Sequence, residues 1–400
     1  MHVSFIHCAD LHLDSPMVGL SNLPKTLHKK LQESTFLAFK KIVDTAINKK
    51  VDFMIIAGDI YDGEDRSIRA QIRFRDEMLR LKETNIQVYL IHGNHDHLNG
   101  NWVHIKLPEN VHVFPSKVSV KKYIKENITV NLYGFSYEKR YIRDRRIDQY
   151  HKLEDGNFHI GLLHGNLEGD VEHSAYAPFT IQDLLSKKMD YWALGHIHKR
   201  KILKDNPPII YPGNIQGRHK KESEIKGSYY VELRESDSQI EFIPSSEIVW
   251  KYLLIDAKHV SNFDELYSTC QKTIAEFEND GYSFILSLEI ENLLIEETFS
   301  ITELLEILQH EILDADTFIW VREIKVHENV QWMKQNLRDE SAFYEELFAI
   351  TGDTTQVEQA IAPLYQHSSA HRFLQELSNE EKQEWMKEAE ELLIKMLVNK

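Results

Sequence analysis

The stretch Gly93-Asn94-His95-Asp96 carries side chains that could do chemistry. Asn94 can offer a neutral oxygen to a metal ion, and His95 can give a proton to a leaving group. A glycine lets the backbone turn sharply and approach a ligand closely. Loops are often rich in Asn, Asp and Gly, so this tetrapeptide alone is a modest signal. The tetrapeptide becomes significant because four other polar clusters also follow apolar segments.

Those clusters combine carboxylates with imidazoles. They are Asp10 with His12, Asp59, His164, and His196 with His198. Mixed carboxylate, amide and imidazole donors suit Mn, Fe or Zn better than Ca. Seven ligands are too many for one ion, which takes at most about six. A two-metal site about 3.5–4 Å across would use them all with one bridging carboxylate, and Asp59 is our choice for the bridge.

Taken one at a time, the clusters have ordinary structural explanations. Asp10-x-His12 alone favours a turn or a helix cap, and Gly58-Asp59 is common at strand ends. His164 alone is more often a satisfied core histidine. The pair His196 and His198 is more specific, since packing does not require two imidazoles there. The joint occurrence, always at strand ends, favours a metal site.

Strands and helices must position these residues. Apolar runs predict a strand directly before each cluster, and apolar residues at helical spacing predict amphipathic helices between the first three strands. The predicted strands are Val3–Cys8, Asp52–Ala57, Ile86–Ile91, Phe158–Leu163 and Tyr191–Leu194, and the helices are Lys25–Asn48 and Arg66–Glu83. Ligands of open α/β sheets bind beyond the carboxyl ends of strands, so the clusters should meet at one edge. Further short strands between residues 111 and 244 predict two facing sheets with helices outside.

Length and composition set the class of the protein. The 400 residues suffice for two or three domains of about 150 residues each, and the 42% hydrophobic and 28% charged residues are ordinary for a globular chain. No apolar run approaches the roughly 20 residues of a membrane helix, and no secretory signal is recognisable. Cys8 and Cys270 cannot form a disulfide framework, so we expect a cytoplasmic protein.

The net charge of -16 is unevenly distributed. Residues 1–250 carry a net charge of +2, and residues 251–400 carry -18. This asymmetry predicts parts with different roles. Residues 252–326 have a strand-helix-strand-helix-strand pattern typical of a small α/β domain, and residues from about 330 have apolar positions typical of helices, including Leu364 and Phe373. We therefore predict domains at 1–248, 249–330 and 331–400.

The five clusters match a known pattern of DxH, GDxxD, GNHD, a lone His and GHxH. The chain thus resembles the calcineurin-like metallophosphoesterases, within them the SbcD/Mre11 nuclease family, and most closely its bacterial YhaO-type members. The narrower resemblance is carried by residues 8–16, 132–137, 176–179, 190–200 and 211–218. It implies a four-layer αββα sandwich, followed by a small α/β capping domain and C-terminal helices.

The resemblance also implies roles for individual residues. Two divalent ions, usually Mn²⁺, would be bound. The first would be held by Asp10, His12, Asp59 and His198, and the second by Asp59, Asn94, His164 and His196. His95 would protonate the leaving 3′-oxygen or orient the scissile phosphate. Relatives often carry a His where this chain has Asp62, which places Asp62 near the substrate phosphate.

The implied activity is that of a metal-dependent DNA nuclease, a 3′–5′ exonuclease with endonuclease activity as a further option, acting in DNA repair. Two alternatives remain open at the level of sequence. One is a phosphoesterase acting on nucleotides or other small phosphodiesters. The other is a non-catalytic subunit that binds DNA ends.

The expected partners are DNA and an SbcC/Rad50-type (YhaN-like) ATPase. The resemblance implies that residues 331–400 dock on the coiled-coil base of that ATPase, although these helices could simply complete the fold. The resemblance leaves a homodimer open.

DNA requires a cationic track for its phosphates. Basic candidates occur in three runs, although the ordinary explanation of each run is a solvated face. The runs are Lys139, Arg140, Arg143, Arg145 and Arg146; Lys199, Arg200 and Lys201; and Arg218, Lys220 and Lys221. Arg200 and Arg218 directly follow the predicted metal edge, so they join Asp62 as candidate substrate-binding residues. Tyr137 and Tyr141 are candidates for stacking on a base.

Overall fold

The fold is described from a computed structural model of the chain. The described residues are 1–15, 17, 20, 23–62, 66–100, 103–169, 176–277, 281–293, 300–310, 317–328, 330–350, 359–363 and 379–398. The apolar positions Leu364 and Phe373, predicted to be helical, lie outside this set.

The first sheet has six strands in the order β12-β11-β1-β2-β3-β4. Its strands are β1 His2–Cys8, β2 Phe53–Ala57, β3 Gln87–Ile91, β4 Val111–Val113, β11 Gly227–Arg234 and β12 Ser238–Pro244. Strands β1 to β4 run parallel, whereas β11 is antiparallel to β1 and β12 is antiparallel to β11. The predicted strands before Asp10, Asp59 and Asn94 are therefore adjacent, and their carboxyl ends lie at one edge.

The second sheet also has six strands, in the order β5-β6-β7-β8-β10-β9. Its strands are β5 Ser119–Lys125, β6 Ile128–Gly134, β7 Phe158–His164, β8 Tyr191–Gly195, β9 Lys201–Asp205 and β10 Pro208–Tyr211. Strands β6, β7, β8 and β10 run parallel, and β5 and β9 are antiparallel edge strands. His164 ends β7, and His196 follows β8.

The two sheets pack face to face around a shared core. Side chains from the first sheet, such as Phe5 and Ile55, contact side chains from the second, such as Ile160 and Ala193, and all four are fully buried. Successive residues of a strand point to opposite faces, so the neighbour Ile6 packs into the layer outside the first sheet. Burial of each large apolar side chain contributes about 1.5–3 kcal/mol.

Helices cover the outer faces of both sheets. The first sheet is covered by α1 Lys25–Lys49 and α2 Ile68–Glu83, and the second is flanked by α3 Ile181–Ser186. Apolar residues at helical spacing form the buried stripe of α1, which follows from its sequence pattern. Ser67 caps α2 by accepting a hydrogen bond from the Ala70 backbone N–H at 2.9 Å. The predicted four-layer αββα sandwich is confirmed.

The remaining elements follow β12. A third sheet has the order β13-β14-β15. The strands are β13 Ile248–Asp256, β14 Ser283–Leu293 and β15 Ile319–Glu328, and the helices are α4 Phe263–Ala275, α5 Ile301–His310, α6 Val330–Glu340, α7 Ala342–Ile350 and α8 Asn379–Val398. Leu337, Phe348 and Ile394 form a small core among the last three helices. Among the residues that the structure describes, no helix has the length and apolar composition to cross a membrane.

The chain divides into two compact units. The first comprises Met1–Leu253, Ile274–Ser287 and Leu305–Glu323. The second comprises Leu254–Thr273, Leu288–Leu304 and Ile324–Lys400. The division into domains at 1–248, 249–330 and 331–400 stays a prediction.

Candidate metal centre

Four strand-end loops and the last residue of β7, His164, bring the seven predicted ligand residues together. The loops follow β1, β2, β3 and β8, whose carboxyl ends share one edge of the sandwich with that of β7. Asp10, His12 and His198 offer ligand atoms within 4.8 Å of one another, and so do Asp59, His164 and His196. Asn94 joins the second group. The seven residues thus form two adjacent groups of donors.

Asp59 lies between the two groups. Its Oδ2 is 3.8 Å from His12 Nε2 in the first group and 3.4 Å from His164 Nε2 in the second. Its Oδ1 accepts a hydrogen bond of 2.9 Å from the His95 backbone N–H. A carboxylate in this position can contact two cations at once, and the bridging role inferred from the sequence stays a prediction.

In the first group, two imidazoles are oriented by carboxylates. Nδ1 of His12 lies 3.2 Å from Asp62, and Nδ1 of His198 lies 2.7 Å from Glu222. Each Nδ1–H therefore donates to a carboxylate, which leaves both Nε2 atoms as lone-pair donors. The two Nε2 atoms face each other at 3.0 Å. His12 and His198 would both direct a lone pair at a cation bound there, which would relieve this contact.

The second group has the same character. His164 Nδ1 donates to the Ala57 carbonyl at 2.9 Å, so its Nε2 carries the lone pair whenever the ring is neutral. That Nε2 faces the Asn94 Oδ1 acceptor at 3.0 Å, and His196 Nδ1 lies 3.1 Å from the same oxygen. Two imidazole nitrogens thus converge on the Asn94 oxygen, an arrangement that N–H donors or a metal ion between them would satisfy. The donor chemistry of both groups therefore fits divalent cations.

The electrostatics around Asp59 and His164 favour positive charge, whereas burial and the charge of Arg218 lower the pKa of His12 to about 3. Burial alone would raise the pKa of Asp59, but the imidazoles of His164, His12 and His95 outweigh it and hold that pKa well below the usual carboxyl range. Burial would lower the pKa of His164, but Asp59 and Asp10 outweigh it and raise that pKa to about 9. A cation bound in the second group would displace this proton.

The backbone at the centre adopts conformations that L-residues seldom adopt. The φ angles are positive at Asp10 (51°), His12 (43°), Asp59 (49°) and His196 (99°). Backbone hydrogen bonds hold these turns, including Asp10 N–H to the Gly58 carbonyl and His12 N–H to the Asp59 carbonyl, both 3.0 Å. The His196 backbone N–H also donates to the Asp10 carboxylate at 3.0 Å. Such conformations cost about 1–3 kcal/mol each and cluster at functional sites.

Glycine is required at Gly93 because of a close approach. A Cβ atom at this position would overlap with Asp59 Oδ1 and would lie 2.7 Å from His164 Nε2. The absence of a side chain lets the loop after β3 pass directly against the bridging carboxylate.

Asp96 holds two of the strand-end loops together. It is fully buried, and its carboxylate accepts hydrogen bonds from the Gly93 N–H at 2.7 Å and the Ile60 N–H at 3.0 Å. It also contacts His92 Nδ1 at 2.8 Å. The last residue of the Gly-Asn-His-Asp stretch thus fixes the loops that carry Asp59 and Asn94.

Sequence reasoning missed two residues that support His198. Glu222 is buried, orients His198, and also accepts a 2.8 Å hydrogen bond from the Arg218 backbone N–H. Lys226 is buried as well and donates to the His198 carbonyl at 3.0 Å. Both lie in a charged segment that contains no recognisable motif. The segment is distant from His198 along the chain, so no local pattern indicates these contacts.

His95 lies beside the cluster and faces outward. Its side chain is 32% exposed, and its Nδ1 is 3.4 Å from Asp62 Oδ1. Its ring meets the His12 ring edge-on at 5.1 Å between centroids. His95 is therefore positioned by the site and accessible to a substrate.

Asp62 and Arg218 form the rim next to His95. Asp62 accepts a 2.7 Å hydrogen bond from Ser15 Oγ, and its carboxylate lies 3.3 Å from Arg218 Nη1. Burial would raise the pKa of Asp62, but His12 and Arg218 outweigh it and hold that pKa well below its usual value. Asp62 thus carries negative charge and orients His12. The substrate-binding roles of Asp62 and Arg218 stay predictions.

The other candidate contacts to DNA differ in their surroundings. The Arg200 guanidinium lies 3.8 Å from the centroid of the Phe242 ring, on which it stacks. Arg145 pairs with Glu168 and Asp183, both at 2.6 Å. The prediction that Tyr137 stacks on a base is wrong, because its ring is fully buried and its hydroxyl donates to the His164 carbonyl at 2.9 Å.

Comparison with known proteins places the chain among metal-dependent phosphoesterases. Residues 3–200 match the family model of the calcineurin-like phosphoesterases. The chain is 36% identical to the uncharacterized metallophosphoesterase YhaO of Bacillus subtilis, over 99% of this chain and 98% of that protein. It is 30% identical to the DNA double-strand break repair protein Mre11 of Thermoplasma acidophilum, over 54% of this chain and 58% of that protein. For Mre11 of Methanocaldococcus jannaschii the identity is 25%, over 67% and 73%.

Proposed function

The chain belongs to the calcineurin-like metallophosphoesterase family, and from this premise we propose that it is a two-metal DNA nuclease. Its activity is that of a 3′–5′ exonuclease, with endonuclease activity as a further option, in DNA repair. The observation that carries the proposal is the shared position of Asp59 between two sets of metal donors, with His95 beside them. A site of this form suits hydrolysis of a phosphodiester.

In this proposal each ion has four protein ligands. Asp10, His12, Asp59 and His198 would hold the first ion, and Asp59, Asn94, His164 and His196 would hold the second. Mn²⁺ is the ion we propose for both positions, because it accepts mixed oxygen and nitrogen ligands. When bound, such a pair polarises a phosphoryl group and lowers the pKa of water.

The side chains next to the ions orient and protonate the substrate. His95 donates a proton to the oxygen that leaves the scissile phosphate, and Asp62 holds the His95 ring from Nδ1. Arg218, whose side chain is 12% exposed beside Asp62, offers cationic hydrogen-bond donors to a neighbouring phosphate. These roles involve only His95 and two side chains at its exposed face, Asp62 and Arg218.

Two observations support DNA as the substrate. Two relatives of this chain are named as DNA double-strand break repair proteins. The first unit also carries exposed basic residues directly after the metal ligands, at Lys199, Arg200 and Lys201. Cations at this position can follow the phosphate backbone from the metal centre without reading base sequence.

Cleavage of a linear, end-labelled DNA duplex in Mn²⁺ tests the proposed function. We expect the wild-type protein to shorten the duplex from its ends, with a generic phosphodiester and a mononucleotide as parallel substrates. Turnover of the two small substrates alone would instead favour a nucleotide phosphoesterase. Binding of DNA ends without any turnover would favour a non-catalytic subunit.

We further propose that α8 contributes the docking surface for an SbcC/Rad50-type (YhaN-like) ATPase. Trp385, Leu392 and Met396 are 47%, 61% and 64% exposed and recur at helical spacing. Such a stripe suits a partner helix. The double substitution Leu392→Glu and Met396→Glu should abolish capture of the ATPase in a pull-down. The control Ile124→Glu, at a residue that is 67% exposed on β5, should retain capture. Capture by the double variant would place the docking surface elsewhere.

The proposed setting is the cytoplasm. Cys8 and Cys270 are both free and buried, which suits a reducing compartment.

A further inference from the structure

Three rings in contact lead outward from the metal centre. The ring of Tyr176 packs against the metal-ligand candidate His196, with 4.7 Å between centroids and an interplanar angle of 47°. The ring of Tyr141 then stacks on Tyr176 at 5.7 Å and an interplanar angle of 25°. Tyr141 is the outermost of these rings and is 52% exposed. The exposed ring of Tyr141 is thus linked through Tyr176 to a residue of the metal site.

Backbone hydrogen bonds hold the rings in place. The Ala177 N–H donates to the Ile142 carbonyl at 2.7 Å, which ties the two tyrosine-bearing segments together. The Tyr176 N–H donates to Asn166 Oδ1 at 2.9 Å, in the loop that begins with His164. The rings are therefore oriented before any ligand arrives, and a ligand that stacks on them loses little affinity to ordering of the protein.

Positive charge accompanies the exposed ring. The Arg140 guanidinium lies 5.8 Å from the centroid of the Tyr141 ring, and Lys139 is exposed beside it. An aromatic ring next to cations is the arrangement that holds a single nucleic-acid strand, because the ring stacks on a base while the cations contact phosphates. A phosphate monoester without an aromatic group has no ring that could stack on Tyr141.

We propose that Tyr141 is a nucleobase-stacking residue that positions an unpaired base of the strand being cut. This inference rests on the proposed nuclease function and specifies its substrate. Two ring contacts, of 5.7 Å and 4.7 Å between centroids, connect Tyr141 through Tyr176 to His196. A base inside a duplex is already stacked on both faces, so the platform accepts a base from a frayed end or a single strand. Tyr141 does not touch the reacting atoms, so its role is positioning.

Two single-stranded DNA substrates test this inference. One carries normal nucleotides throughout, and the other carries abasic residues at the last two positions of each end. Stacking of one base on an aromatic ring corresponds to a preference of about 10- to 100-fold. We expect the wild-type protein in Mn²⁺ to show this preference in kcat/KM for the normal strand. In Tyr141→Ala the ratio should fall to about 1, whereas Tyr141→Phe, which keeps the ring, should preserve it.

The matched control is Tyr252→Ala, which removes another exposed tyrosine. It should leave the preference unchanged. A wild-type ratio near 1, or an unchanged ratio in Tyr141→Ala, would overturn the stacking role while leaving the nuclease function intact. Failure of the wild-type protein to cut either strand would overturn the proposed function, and the stacking role with it.

Discussion

Replacing Asp59 with alanine is expected to empty both metal positions and reduce hydrolysis to background. Asp59 is the side chain that lies between the two donor groups, with its Oδ2 3.8 Å from His12 Nε2 and 3.4 Å from His164 Nε2. Its removal leaves each group one ligand short and deletes the negative charge that both ions would share. Elemental analysis after equilibration with Mn²⁺ should fall from about two ions per chain to nearly none.

Two comparisons separate this effect from general damage to the protein. Asp76→Ala removes a carboxylate that is 56% exposed on α2 and should leave the metal content unchanged. The far-ultraviolet circular dichroism of Asp59→Ala should match that of the wild type, because the strands that carry the site are held by their own apolar cores. Near-full metal occupancy in Asp59→Ala would contradict the bridging role.

Replacing His95 with alanine is expected to reduce hydrolysis without removing the metal ions. Both ions should remain bound, because the two donor groups that contain Asp59, His164 and His198 are complete without His95, which lies in a separate group with His12 and Asp62. Hydrolysis should fall by about 10²- to 10⁴-fold, which is the range for loss of a general acid. The measurement is metal content together with kcat on labelled DNA, for the same preparation.

The control for this variant is His151→Ala, at an exposed histidine outside the cluster. It should retain both metal content and turnover. Unimpaired cleavage by His95→Ala would remove His95 from the mechanism. Loss of metal in that variant would instead place the His95 side chain among the metal donors, together with His12 and Asp62, whose ligand atoms lie within 4.8 Å of it.

Much of this site can be predicted from sequence because all of its polar clusters show the same local pattern. Each polar cluster directly follows an apolar strand, and parallel strands place their carboxyl ends at one edge. The motifs around Asp10, Asp59, Asn94, His164 and His196 therefore converge without any knowledge of the loops between them. The central position of Asp59 also follows, since its strand lies between those of Asp10 and Asn94.

The supporting residues could not be predicted in the same way. Glu222 reaches His198 from 24 residues further along the chain, and its own segment is a charged loop without periodicity. Tyr137 looked available for stacking because aromatic residues near loops are often exposed. Its burial depends on how the chain after β6 packs beneath β7, which is a tertiary contact. The strand order β12-β11-β1 is likewise a long-range pairing that local patterns do not encode.

Anomalous diffraction from crystals equilibrated with Mn²⁺ is the most direct test of the central claim that this chain holds two ions around one carboxylate. The account predicts two peaks about 3.5–4 Å apart, both in contact with Asp59. One should lie among Asp10, His12 and His198, and the other among Asn94, His164 and His196. A single peak, or a pair of peaks of which one does not contact Asp59, would contradict the two-metal site.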